Sequence, residues 1–120
     1  MTILVTGGAG FIGSNFIINW VSKYKEKIIN LDNLNYASNK NNLSKLNKKN
    51  YKFIKGSINN KKLVRTILRT YKINKIINFA AETHVDRSIV DGSKFINTNI
   101  NGTFNLLEES KNYYLSLKKA

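Results

Sequence analysis

The chain has 120 residues, no cysteine, and 20 Lys or Arg against 7 Asp or Glu, for a formal charge of +13. That length suits one domain with a real core, and the lack of cysteine excludes disulfides and thiolate metal sites. No apolar run approaches the roughly 20 residues of a membrane span, and no charged-then-apolar leader opens the chain, so a cytoplasmic protein without a metal is expected.

The first apolar stretch, Ile3-Leu4-Val5, predicts a strand over Thr2–Thr6. It runs into Thr6-Gly7-Gly8-Ala9-Gly10-Phe11-Ile12-Gly13, and a helical period follows from Phe11 to about Tyr24. Ile12, Phe16, Ile17, Trp20, Val21 and Tyr24 are expected on its buried face. Strand, glycine turn and helix in this order have a physical use. Gly7 permits the tight turn, Gly10 lets a pyrophosphate approach the backbone, and Gly13 lets the helix pack close to the strand.

The second strand is expected over Lys27–Leu31, and Asp32 ends it nineteen residues beyond Gly13. A carboxylate there is placed to accept hydrogen bonds from an adenosine ribose. A polar loop and a short helix near Asn41–Leu46 come next, then a strand over Tyr51–Lys55. The helical period returns over Asn60–Tyr71 through Leu63, Val64, Ile67, Leu68 and Tyr71, and Lys75–Phe79 reads as the fourth strand. A long helix is expected from about Ser93, as its N-cap, to Tyr113, with Ile96, Ile100, Phe104 and Leu107 inward.

Strands alternating with helices predict an α/β, Rossmann-type, doubly wound parallel sheet. Right-handed crossovers put the strands in the order 3-2-1-4, with a nucleotide crossing their carboxyl ends near strands 1 and 4. The last helix should lead into a fifth strand, so the sheet is expected to be incomplete. Ile76, Ile77 and Phe79 would then lie on an uncovered apolar edge.

The basic balance raises a nucleic-acid partner, since twelve Lys or Arg and no acid lie between Asp32 and Glu82. The bases are nearly all lysine, however, and are scattered through helices and loops. Asn, Lys and Ile together supply 51 residues, and all three have adenine- and thymine-rich codons. Codon drift accounts for the charge more simply than a polyanion does, so a nucleic-acid partner is not expected.

After the fourth strand comes Phe79-Ala80-Ala81-Glu82-Thr83-His84-Val85-Asp86-Arg87-Ser88-Ile89. Small Ala80 and Ala81 at a strand's carboxyl end allow close approach of a cofactor. The only histidine, His84, reads first as a hydrogen-bonding or packing residue, and Asp86 with Arg87 as a local ion pair.

The glycine block, the run Asn30-Leu31-Asp32-Asn33-Leu34-Asn35-Tyr36-Ala37, the loop just quoted and Asn97-Thr98-Asn99-Ile100-Asn101-Gly102-Thr103 together resemble a known family. The chain is similar to the amino-terminal third of the dTDP-glucose 4,6-dehydratases, extended short-chain dehydrogenases/reductases that use NAD as lyases acting on a nucleotide sugar. The resemblance implies that Phe11 and Ile12 meet the pyrophosphate and that Asp32, Asn33, Leu34 and Asn35 surround the ribose. It places Ser57 and Ile58 at the adenine. Phe79, Ala80, Ala81 and Thr83 would line the nicotinamide side, with Thr98 touching the cofactor. Thr83, His84 and Ser88 would face the sugar nucleotide. A carboxylate at Asp32 with no arginine after it favours NAD over NADP.

Two positions depart from the family pattern. Ser57 stands where the family has Asp, which costs on the order of 1–2 kcal/mol of cofactor binding. Gly92-Ser93 replaces a proline at the start of the long helix, a benign change because serine caps well.

The family's Thr-Asp-Glu cluster and Tyr-x-x-x-Lys pair belong to a fifth strand and a following helix. Tyr114-Leu115-Ser116-Leu117-Lys118 matches the second pattern but continues the helix after strand four, so it is a decoy and no catalytic residue is assigned. The family's homodimer interface would likewise be incomplete. The expectation is a truncated product that is inactive alone. The alternatives are half of a split enzyme completed by a second chain, or a stand-alone NAD- or polyanion-binding module.

Overall fold

In the computed structural model, which describes residues 1–34, 43, 46–80 and 92–118, four parallel strands form one sheet of order β3-β2-β1-β4. The strands are β1 (Thr2–Thr6), β2 (Lys27–Asp32), β3 (Tyr51–Lys55) and β4 (Lys75–Asn78). Helix α1 (Phe11–Lys23) connects β1 to β2, and α2 (Lys61–Thr70) connects β3 to β4. Beyond β4 lie α3 (Gly92–Ile96), a π-helical stretch (Asn97–Gly102) and α4 (Thr103–Lys118). The doubly wound order expected from the sequence is the order observed.

Register runs Thr2 opposite Lys27 to Thr6 opposite Leu31 between β1 and β2, and Ile28 opposite Tyr51 to Asp32 opposite Lys55 between β2 and β3. β2 therefore extends one residue further than expected and carries Asp32 inside the sheet. β4 stops at Asn78, although the Phe79 N–H still donates to the Thr6 carbonyl at 2.7 Å.

The strands' two-residue period divides the core between two layers. Ile3, Val5 and Ile28 point to the α1 layer, where Ile17 is buried and Phe16, Trp20 and Val21 pack partly buried. Leu4, Ile29 and Leu31 point to the other layer, against Val64, Ile67, Leu68 and Leu106. Each of these aliphatic side chains contributes about 1.5–3 kcal/mol when fully buried. In α1 the expected face is too wide. Ile12 and Tyr24 are exposed, because they sit at the helix ends, beyond the width of the sheet beneath.

Helix α2 follows its pattern closely. Asn60 caps it, its side chain accepting the Leu63 N–H at 3.1 Å, and Tyr71 closes it. Most of the short helix expected near Asn41–Leu46 lies outside the described residues. Within it, the buried Leu43 accepts a hydrogen bond from the Leu46 N–H at 3.2 Å.

The last helical region corrects the sequence reading twice. It is α-helical, then π-helical, then α-helical, and Ser93 lies inside α3 instead of capping it. The expected inward residues Ile96, Ile100, Phe104 and Leu107 are all exposed, while Gly102, Asn105, Leu106 and Glu109 are buried. A π turn inserts residues relative to a 3.6-residue period and so shifts which side faces the core. Glu109 is paired and the Asn105 amide is bonded at its donating end, while the Asn105 Oδ1 is buried without a partner among the described residues. The Asn105 amide donates to the Ile58 carbonyl, and Glu109 accepts from Arg65 of α2 at 2.8 Å.

β4 is an edge strand, as expected. Ile76 is half-buried against the α2 layer, and Ile77 and Phe79 are half-buried against the α1 layer. No helix among the described residues is long and apolar enough to cross a membrane.

Candidate cofactor site

Parallel strands deliver their carboxyl ends to one edge, and most of the described candidate residues lie just beyond those ends. The glycine turn follows β1, Asp32 to Leu34 close β2, Ser57 and Ile58 follow β3, and Phe79 and Ala80 follow β4.

Gly7 begins the turn in the left-handed region at φ 70°, and a Cβ there would lie 2.5 Å from the Ala80 backbone nitrogen. Only glycine meets both conditions. The turn after β1 and the turn after β4 are thereby in backbone contact. At Gly13 a Cβ would come within 2.5 Å of the Gly7 carbonyl oxygen, so the first turn of α1 can sit directly on the strand end.

Helix α1 starts at Phe11 with Gly10 as its N-cap, and glycine has no side chain to satisfy the first N–H groups. The first turn also lacks an acidic residue, so the positive end of the helix dipole is left for an external anion. Phe11 is 80% exposed and Ile12 is exposed too, so neither side chain is committed to the core.

Asp32 is buried beneath this turn. One carboxylate oxygen accepts the Ala9 N–H at 2.9 Å and the other accepts the Leu34 N–H at 2.8 Å. The acid thus ties the glycine turn to the loop after β2. It also holds Leu34 in a left-handed conformation, at φ 56°, beside exposed Asn33.

On the β3 side, the Ser57 hydroxyl accepts the Asn59 N–H at 3.0 Å and shapes its own turn. The Ile58 side chain is buried in the core and its carbonyl is taken by Asn105, so its side chain is a packing element. The Asn59 amide donates to the Asn97 carbonyl at 3.0 Å, which joins this loop to the π-helical stretch where half-exposed Thr98 sits. The Phe79 ring packs on Phe16 at 5.6 Å, and the Asn78 side chain accepts the Ala80 N–H at 3.0 Å.

Gly7, Gly10, Phe11, Ile12, Gly13, Asp32, Asn33, Leu34, Ser57, Phe79 and Ala80 therefore gather on one edge, with Thr98 tied to it through Asn97. Asn35, Ala81, Thr83, His84 and Ser88 lie outside the described residues. No group of His, Asp or Glu among the described residues could hold a metal ion. Sequence reading missed Asn30, which is fully buried in β2 and whose side chain accepts the Gly8 N–H at 3.0 Å. Its signal was present: a polar residue inside an apolar strand covered on both faces must be bonded to something.

A family model described as GDP-mannose 4,6 dehydratase matches residues 4–119. A dTDP-glucose 4,6-dehydratase of Xanthomonas campestris is 46% identical over 117 residues, covering 97% of this chain and 33% of the relative. That of Escherichia coli is 42% identical over 120 residues, covering 99% and 33%. Among solved structures, DesIV, a dTDP-glucose 4,6-dehydratase from Streptomyces venezuelae with NAD and TYD bound, superposes with a TM-score of 0.88 at 39% identity. That match covers 94% of this chain and 36% of DesIV. The Bacillus anthracis enzyme in complex with NAD gives 0.82 at 45% identity, covering 94% and 34%. The chain spans about a third of the length of the curated relatives it matches. It belongs to the NAD-dependent epimerase/dehydratase family, as a homologue of the amino-terminal part of dTDP-glucose 4,6-dehydratase.

Proposed function

We propose that this chain binds NAD across the carboxyl ends of its strands, as the cofactor-binding part of a nucleotide-sugar 4,6-dehydratase. The observation that carries the reading is the glycine turn held over Asp32, with the uncapped start of α1 beside it. The pyrophosphate would lie on the backbone of Phe11 and Ile12. The ribose would meet the Asp32 carboxylate at the end of β2. The nicotinamide would lie toward Ala80 and Ala81, and Thr83, His84 and Ser88 would meet the sugar nucleotide. Relatives with NAD bound support the cofactor.

NAD supplies hydride acceptance and return when bound. This chain's residues bind it, orient it and discriminate against a 2′-phosphate by charge at Asp32. The proton transfers and the elimination need groups outside these 120 residues, so the chain alone is proposed to convert no dTDP-glucose.

A thermal melt with and without NAD tests the binding. At a hundredfold excess over Kd the stabilisation should reach about 2.7 kcal/mol, and NADP should give less. A melt indifferent to NAD overturns the reading. Formation of a 4-keto sugar from dTDP-glucose by the isolated chain would overturn the second part.

A further inference from the structure

Residues 28, 30 and 32 of β2 share one face, and the turn after β1 folds over that face. Asn30 and Asp32 are thus neighbours there, and two successive backbone N–H groups land on them. Gly8 donates to Asn30 Oδ1 at 3.0 Å and Ala9 donates to Asp32 at 2.9 Å. The fit at Gly8 is tight, since a Cβ there would lie 2.4 Å from the same Asn30 oxygen.

Asp32 can accept with either oxygen, but Asn30 cannot. Its amide has one accepting end and one donating end, and a half-turn would set NH2 against the Gly8 N–H. The Gly8 N–H, which can only donate, sets which end of the amide faces the turn, and a partner at the other end must hold the amide plane there. The Asn30 Nδ2 donates to the Tyr51 hydroxyl at 3.1 Å. Tyr51 opens β3 and pairs with Ile28, so its ring lies on the same face and its hydroxyl reaches Asn30. Asn30 is fully buried, so water cannot replace this acceptor cheaply.

We propose that Tyr51 is a positioning residue for the dinucleotide: it holds the Asn30 amide in the orientation that anchors the Gly8 N–H and so presets the glycine turn. The proposal rests on the NAD reading for its functional meaning. Its structural half stands without a ligand. A turn already fastened at Gly8 and Ala9 gives up less freedom when a pyrophosphate settles on Gly10 to Gly13.

Tyr51→Phe removes the hydroxyl and keeps the ring. Two readouts apply to the full chain. In the absence of ligand, hydrogen exchange of the Gly8 amide should speed up about fivefold or more, while the amides of Leu4 and Val5 keep their protection. In NAD titrations Kd should rise about three- to tenfold. Adding Tyr51→Phe to Asn30→Leu should weaken NAD no further than Asn30→Leu alone, because the two act in one chain of contacts.

Unchanged Gly8 exchange in Tyr51→Phe overturns the proposal. Equal acceleration across β1 also overturns it, since that would mark a merely structural residue. If the unaltered chain fails to bind NAD, the functional reading falls by itself, and the Gly8 exchange still decides whether Tyr51 sets the turn.

Discussion

Ala9 donates its backbone N–H to the side chain of Asp32 across 23 positions of sequence, at 2.9 Å and out of contact with water. A residue selected on sequence as a ribose acceptor is therefore a fastening for the glycine turn. The two roles separate in Asp32→Asn, which keeps the shape but loses the charge and one accepting end. We expect about 1–2 kcal/mol lost in unfolding free energy and NAD binding weakened about tenfold or more. The preference for NAD over NADP should narrow, because the repulsion of a 2′-phosphate is gone. Parallel titrations with both cofactors check this, and an unchanged ratio would sink the assignment of Asp32.

Two glycines of the same turn should behave differently. Gly7→Ala forces a side chain into a left-handed position and against the backbone of Ala80, and it should cost at least about 2 kcal/mol. At Gly10 a Cβ would find only the Gly7 carbonyl oxygen, at 3.5 Å, an ordinary contact. Gly10→Ala should fold with little loss of stability and yet bind NAD poorly, its methyl group standing where the proposed pyrophosphate would approach. Urea denaturation and NAD titration of both variants test the contrast. Loss of stability without loss of binding in Gly10→Ala would contradict it.

The parts of this molecule that follow local rules were legible in its sequence. The strands Thr2–Thr6 and Tyr51–Lys55 and the helix between Asn60 and Tyr71 appear where apolar runs and the helical period put them. The order of the sheet follows from the handedness of the crossovers. What was not legible depends on partners far away in sequence. Asn105 and Glu109 look like solvent-facing residues until Ile58 and Arg65 are brought against them. Asn30 looks like an interruption of a strand until Gly8 folds onto it. The glycine block and Asp32 pointed to the candidate site, but the fastening between them and Asn30 needed the fold.

The displaced face of α4 yields a direct comparison of two adjacent leucines. Leu106 is 4% exposed and packs with Ile58, Val64 and Ile67, whereas Leu107 is 66% exposed. Leu106→Ala should cost about 2–4 kcal/mol through lost burial and a residual cavity. Leu107→Ala should change stability by less than about 0.5 kcal/mol. The hydropathy pattern alone predicts the reverse order, so denaturant midpoints of the two variants decide between the faces.

Tyr51 provides a test in alkaline solution. Burial pushes its phenol above the ordinary value of 10.0, and the nearby Asp32 charge adds to this, while the hydrogen bond from Asn30 works the other way. Because the folded chain holds the proton more tightly than the unfolded chain, this contribution to stability is complete below about pH 10. It is lost as the pH rises through the higher folded value. Unfolding free energy should therefore fall more steeply above pH 10 in the unaltered chain than in Tyr51→Phe. Every other group is common to both proteins and cancels in the difference. Urea curves at pH 9 and pH 10.5 give that difference, and equal slopes would show that the Tyr51 hydroxyl is not held in the buried contact with Asn30 from which the glycine turn takes its orientation.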